Sequence, residues 1–102
     1  MSIEEKFEFL RKKWVKETGF HSVSHVIYNN KNFREIISLG KSVIPLIIKR
    51  YMSDDCMEDW SRALSELLQV NPVKNKSYEY DKIRDDWKRY LRDVYIDEIL
   101  NE

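Results

Sequence analysis

The chain has 102 residues, which is enough for one hydrophobic core, and we expect a single helical domain over residues 1–102. It is 42% hydrophobic and 35% charged with only two Gly and two Pro, which excludes a disordered, collagenous or linker-type chain. Eighteen basic and eighteen acidic side chains give a formal net charge of zero, which excludes a uniformly basic surface for polyanions.

The first predicted helix covers residues 3–17. Ser2 and Glu5 have the spacing of a capping box. Apolar residues then follow at spacings of four, three and four, which places them on one helical face, and Gly19 is expected to end the helix. These residues are Ile3, Phe7, Leu10 and Trp14.

Residues 20–30 suit either a short helix capped by Ser22 or Ser24, or a β-strand. Because a lone strand would have no partner elsewhere in the chain, we favour the helix.

A second helix with an apolar face is predicted next, and it ends at Gly40. A further helix opens at Lys41 and runs to about residue 52, with Pro45 in its first turn, where a missing N–H breaks no intrahelical hydrogen bond.

A clearly amphipathic helix is predicted over 59–70, preceded by acidic residues that favour a helix N-terminus. It should stop before Asn71-Pro72, since a residue that precedes proline is disfavoured in the α region. Residues 71–80 form a predicted loop, and a C-terminal helix begins near Ile83 and could continue through Ile99-Leu100. The predicted fold is therefore all-α with about five helices: a HEAT-like antiparallel pair, at 31–52 and 59–70, and a long C-terminal helix.

Over about sixty residues, 14–73, the chain resembles an uncharacterised family of small bacterial helical proteins. The family pattern is W-K-x-E-T, then a Ser-rich turn, I-I-x-M-G-x-x-A-I-P-L-I-L, and W-x-x-A-L-x-x-I-T-G-x-x-P-V. The matching positions are Trp14, Glu17, Thr18, Ser22, Ile36, Ile37, Leu39, Gly40, Ile44, Pro45, Leu46, Ile47, Ile48, Trp60, Ala63, Leu64, Pro72 and Val73, and a late tryptophan corresponds to Trp87. The segment from Leu39 to Ile48 also resembles the entry to the second helix of a HEAT repeat.

The resemblance implies a helical fold and no activity. The chain departs from the family pattern at three positions: Val15 replaces a lysine, Val70 replaces a glycine, and Asn30 stands where histidine is common. A β-branched residue at 70 predicts a different end for the preceding helix, because it disfavours positive φ.

Few residues indicate a catalytic or metal-binding function. His21 and His25 are four apart and could lie on one helical face, but two imidazoles are too few for a zinc site, and the glutamate of an H-E-x-x-H signature is missing. Cys56 is a single thiol beside acidic residues, which should raise its pKa. We therefore assign no catalytic residue, no cofactor and no metal ligand, and predict that the protein is not an enzyme.

Two basic stretches and several tyrosines are candidate partner-binding residues. Residues 1–51 hold ten basic and five acidic side chains and residues 52–102 hold eight and thirteen, so the halves carry charges of opposite sign. The basic run on the first helix could attract the acidic run at 54–59, in cis or in a second copy. The candidates are Arg11 and Lys12 on the first helix, and Tyr78, Tyr80, Arg84, Lys88 and Arg92 near the C-terminus, whereas Trp14, Trp60 and Trp87 are expected in the core.

The sequence thus predicts a non-catalytic protein-interaction module that binds and blocks or scaffolds a larger protein, as bacterial or phage antitoxins, immunity factors and inhibitors do. Its partner is another protein or a second copy. The alternatives are a nucleic-acid-contacting protein that uses Lys74, Lys76 and the 84–92 stripe, and a small nuclease or hydrolase that uses His21 and His25. The longest apolar run, residues 43–48, is too short to cross a bilayer and no secretory signal is evident, so we expect a cytoplasmic protein without membrane contact.

Overall fold

The computed structural model describes residues 2–19, 23–72 and 80–94, and every regular element in these ranges is helical. The all-α prediction is therefore confirmed. The described elements are α1 (Ile3–Thr18), α2 (Ser24–Tyr28), α3 (Lys31–Ser38), a 3₁₀ turn (Gly40–Val43), α4 (Ile44–Tyr51), α5 (Ser61–Leu68) and α6 (Tyr80–Val94). None of the described helices is long and apolar enough to cross a membrane.

The chain divides into two compact units, residues 1–46 and 47–102, with the border inside α4. In the first unit α1 packs against α3, and the Trp14 and Phe33 rings lie 4.9 Å apart at their centroids. In the second unit α5 contacts α6, and Trp60, Trp87 and Leu91 are fully buried. All three tryptophans are core residues, as predicted. The organisation as one domain and the HEAT-like pairing of helices stay predictions.

Ser2 caps α1 as predicted, but only one of the two hydrogen bonds of a capping box is described. The Glu5 backbone N–H donates to Ser2 Oγ at 3.2 Å, and the Ser2 hydroxyl donates to the Glu5 carboxylate. Residues 24–28 are helical, so the choice of helix over strand was right. The expected Ser24 cap is wrong, because Ser24 is already the first helical residue and Val23 is the N-cap; Ser22 lies outside the described residues.

Gly40 ends α3 as predicted, with a φ of 68° that disfavours residues with a Cβ. The chain then makes a 3₁₀ turn, so α4 begins later than expected, at Ile44, and Pro45 lies in its first turn. The helix α5 ends at Leu68, two residues before Val70. The residue in the left-handed conformation is Gln69, with φ 56° and ψ 40°, so Val70 does not have to adopt a positive φ. Tyr80 begins α6, and an extension through Ile99-Leu100 lies outside the described residues.

Candidate partner-binding surface

One side of α1 is exposed and basic. Its buried side holds Phe7, Leu10 and Trp14, and the opposite side is about half a turn away at 100° per residue. We call that opposite side the outer face of α1. It comprises Phe9, Lys12, Lys13, Val15 and Lys16, with Glu5 one turn before Phe9, and all six are exposed.

Phe9 lies among the cations of this face. Its side chain is 51% exposed, and Lys13 Nζ lies 4.8 Å from the centroid of its ring. This is the distance of a cation–π contact, which at an exposed site contributes about 0.5–1 kcal/mol. Phe9 was missed in the sequence, although its position two residues after Phe7 places it about 200° around the helix from that core residue.

The predicted site residues of α1 have different surroundings. Lys12 is exposed on the outer face. The Arg11 guanidinium donates from Nε and Nη2 to the two carboxylate oxygens of Glu8, at 3.1 and 2.8 Å, and its side chain is only 13% exposed. The charge of Arg11 is therefore largely balanced within α1, and the exposed cations of this stretch are Lys12, Lys13 and Lys16.

The outer face is supported by a well-anchored helix. Trp14 Nε1 donates to the Ile27 carbonyl at 2.9 Å, which ties α1 to α2. Near the end of α1 the two Glu17 oxygens accept from Asn30 Nδ2 at 3.1 Å and from Asn32 Nδ2 at 3.0 Å. Asn30 Oδ1 in turn accepts the Asn32 N–H, which caps α3. The hydrogen bonds from Asn30 and Asn32 lower the pKa of Glu17.

The acidic run at 54–59 lies in the α4–α5 loop (residues 52–60), and much of it is bonded within the second unit. Arg50 Nε donates to Glu58 Oε1 at 2.6 Å, and Arg50 Nη2 donates to Glu58 Oε2 at 3.2 Å. Trp60 Nε1 also donates to Glu58 Oε1, at 3.2 Å. Asp59 Oδ1 accepts the Ser61 N–H at 2.9 Å at the start of α5. Asp55 Oδ1 accepts from Arg50 Nη1 at 3.3 Å, so three of the four acidic side chains of this run have partners within the second unit.

Burial and hydrogen bonds compete at Glu58. Its side chain is 8% exposed, and burial alone would raise its pKa. The hydrogen bonds and positive charge of Arg50 outweigh burial, so the pKa of Glu58 is lowered. The hydrogen bond with Glu58 also raises the pKa of Arg50. The pair is ionised at neutral pH and held in a two-pronged geometry.

Arg84, a predicted partner-binding residue, lies against the same loop. Its Nη1 donates to the Cys56 carbonyl at 3.0 Å, and its Nη2 donates to the carbonyls of Tyr51 at 3.0 Å and Ser53 at 2.7 Å. The guanidinium carbon lies 5.7 Å from the centroid of the Tyr51 ring. This geometry makes Arg84 a structural residue that fixes the loop to α6, and its role in partner binding stays untested.

Cys56 is buried in this loop, and its Sγ–H donates to the Glu58 carbonyl at 3.3 Å. Its pKa is raised, as predicted, but the first cause is burial and the Glu58 charge is second. A thiol that is buried and protonated is a poor nucleophile. Cys56 therefore serves the packing of the loop.

The rest of the predicted C-terminal site is only partly described. Lys88 is half-buried and Arg92 is exposed on α6. Tyr78, Lys74, Lys76 and the side chain of Tyr80 lie outside the described residues.

The described residues form neither a metal site nor a pocket of the usual ligand size. Among the described residues no three or more His, Cys, Asp or Glu side chains are placed to hold a metal ion; His25 is exposed, and His21 lies outside the described ranges. A shallow cleft of about 120 Å³ is lined by Pro72, Asp86, Arg89, Tyr90 and Asp93. Ligand pockets usually measure about 300–1,000 Å³, so we assign no ligand to this cleft.

Comparison of the chain with protein-family models, with curated proteins and with solved structures gives no match.

Proposed function

We propose that this protein is a non-catalytic interaction module that binds a larger protein through the outer face of α1 and blocks or scaffolds it. The observation that supports this proposal most is the half-exposed Phe9 ring among exposed lysines. Single exposed aliphatic side chains are common on any surface. An aromatic side chain on an anchored helix is a stronger sign, because aromatic residues contribute disproportionately to binding energy at protein interfaces.

The charges of the face favour an acidic partner. Lys12 and Lys16 are four apart on α1, so they repel each other by a few tenths of a kcal/mol. A partner that brings carboxylates beside them relieves this repulsion, and an apolar side chain of the partner can cover Phe9. The expected ligand is therefore a protein surface with an apolar centre and an acidic rim.

Nucleic acid is a weaker candidate for this face. Three lysines neutralise at most about three phosphates, so the logarithm of the affinity would fall with the logarithm of salt at a slope of about −3 or less steeply. Sites that bind duplex DNA by its backbone commonly make about 6–10 such contacts. The Phe9 ring also needs an apolar or π surface to contact, which duplex phosphates do not offer.

A differential affinity capture from nuclease-treated native cells tests the proposal. Three baits are compared: the wild-type chain, the variant Phe9→Ala/Lys12→Glu, and the control Lys41→Glu, which reverses an exposed charge outside α1. We expect at least one protein that the wild type and the control retain and the double variant loses. Retention of the same set of proteins by all three baits would overturn the proposal.

A further inference from the structure

The α4–α5 loop carries an unusually exposed apolar side chain. Met57 is 85% exposed, while its neighbour Cys56 is 2% exposed and buried in the core. On its other side the Glu58 carboxylate is held by Arg50. Met57 therefore projects outward between two anchored residues.

The backbone around Met57 is fixed from two directions. Arg84 binds the carbonyls of Ser53 and Cys56, and Arg50 Nη2 donates to the carbonyl of Asp55 at 3.4 Å. A loop already held in one conformation loses little conformational entropy when a partner binds it. The loop is therefore well suited to present Met57 to another surface.

The side chains beside Met57 are acidic. Asp54 is exposed, and the Asp55 side chain is 80% exposed although its Oδ1 accepts a hydrogen bond from Arg50 Nη1 at 3.3 Å. We call Asp54, Asp55 and Met57 the Met57 tip. It combines a flexible thioether with two carboxylates, whereas the outer face of α1 combines an aromatic ring with three ammonium groups. Thioether–aromatic contacts and opposite charges are both favourable, so the two surfaces are complementary.

We infer that the chain associates with a second copy of itself, with the Met57 tip of one copy bound to the outer face of α1 of the next. The inference rests on the proposed function, because it names a second copy as one ligand of the same face. The contact joins two different surfaces, so it is heterologous, and repeated contacts form a ring or an open chain. Both surfaces are small, so the association is weak and sensitive to salt.

Sedimentation velocity of the full chain, at concentrations up to about 1 mM and at low and high salt, tests the inference. We expect the average sedimentation coefficient to rise with concentration, less steeply at high salt. The α1 variant Lys12→Glu/Lys16→Glu and the tip variant Asp54→Asn/Met57→Ala should each lower the association constant about tenfold or more. The matched controls Lys41→Glu and Asp85→Asn, which change exposed charges elsewhere, should associate as the wild type does.

Mixing the two variants gives the decisive result. The α1 variant keeps an intact tip and the tip variant keeps an intact α1 face, so an equimolar mixture should form one-to-one dimers that grow no further. All the substituted residues are exposed, and equal thermal midpoints would show that the variants fold.

A wild type that is monomeric at every concentration and salt would overturn the inference, and so would a mixture that stays monomeric while the wild type associates. Neither result bears on the capture of a different protein by α1. The proposed function fails instead when the Phe9→Ala/Lys12→Glu bait retains the same proteins as the wild type.

Discussion

The outer face of α1 and the α4–α5 loop each begin as a run of like charges in the sequence, but the chain uses the two runs differently. On α1 the lysines at 12, 13 and 16 are exposed, while the charge of Arg11 is balanced by Glu8. In the loop, Glu58 is buried against Arg50, and Asp59 accepts a backbone N–H. Within a run of like charges, the candidate binding residues are therefore those for which the described residues show no ion pair, such as Lys12 and Lys16 on α1 and Asp54 in the loop.

Position in the fold explains the difference. The α4–α5 loop lies beside two arginines, Arg50 at the end of α4 and Arg84 on α6, which bind its carboxylates and its carbonyls. Of the described carboxylates near the α1 run, Glu8 binds Arg11 and Glu17 is close enough to Lys13 for its charge to lower the Glu17 pKa. The lysines are left to face solvent, which is why we assign binding to α1 and stability to the loop arginines.

The largest effect should come from removing the guanidinium of Arg84. Arg84→Met leaves two loop carbonyls and the Tyr51 carbonyl at the end of α4 without their charged donor, and each hydrogen bond to a charged group contributes about 1.5–3 kcal/mol. We expect the free energy of unfolding to fall by about 3–5 kcal/mol, measured by urea denaturation. Arg89→Met is the matched control on the same helix, because the Arg89 side chain is 74% exposed, and it should change stability by less than about 0.5 kcal/mol. Equal effects of the two substitutions would show that Arg84 does not brace the loop.

Glu58→Ala should have the next largest effect. It leaves the Arg50 guanidinium and the Trp60 Nε1–H without their shared acceptor, and we expect a loss of about 2–3 kcal/mol by the same assay. A double-mutant cycle with Arg50→Met isolates the pair, because the second substitution should cost far less once the first is present. Additive losses would contradict the pairing.

The pH dependence of stability follows from the lowered pKa of Glu58. Because the folded pKa lies below the unfolded value, its contribution is fully present above the unfolded pKa of about 4.3 and is lost as pH falls through the folded pKa. Unfolding free energies measured from pH 7 down to pH 2 should therefore fall less steeply below about pH 5 for Glu58→Gln than for the wild type. Parallel curves of unfolding free energy against pH for the two proteins would mean that Glu58 has the same pKa in the folded and unfolded states.

Much of the fold could be predicted from the sequence, because it depends on local chemistry. The Ser2 cap, the stop at Gly40 and the burial of the tryptophans follow from spacing and residue type. The site was predicted less well. The stripe of Arg84, Lys88 and Arg92 looks uniform at a spacing of four, yet Arg84 binds carbonyls 28–33 residues away, and no local pattern encodes such a contact.

A smaller, stabilising effect is expected at the end of α5. Gln69 adopts φ 56°, a conformation that costs a residue with a Cβ about 1 kcal/mol more than glycine. Gln69→Gly should therefore raise the thermal midpoint by a few degrees, whereas Val70→Gly, at the position where the resembled family has glycine, should lower it. The opposite order would show that the left-handed residue is at 70.

The smallest effect on stability should come from the outer face of α1. Lys12→Glu/Lys16→Glu changes two exposed side chains, and we expect the free energy of unfolding to change by less than about 0.5 kcal/mol in urea. Charge reversal on the loop arginine, Arg50→Glu, provides the contrast and should destabilise the protein by several-fold more, since it places two carboxylates side by side. A large loss of unfolding free energy in the lysine variant would show that carboxylates of the folded protein pair with Lys12 or Lys16.

The central claim is that α1 binds a partner while Arg50, Glu58 and Arg84 hold the fold. The most direct test is a binding isotherm of the captured protein with the wild type, with Phe9→Ala/Lys12→Glu and with Lys41→Glu, all shown to be folded. We predict an affinity at least about tenfold weaker for the α1 variant and unchanged for the control. Equal affinities for all three would contradict the assignment of binding to α1.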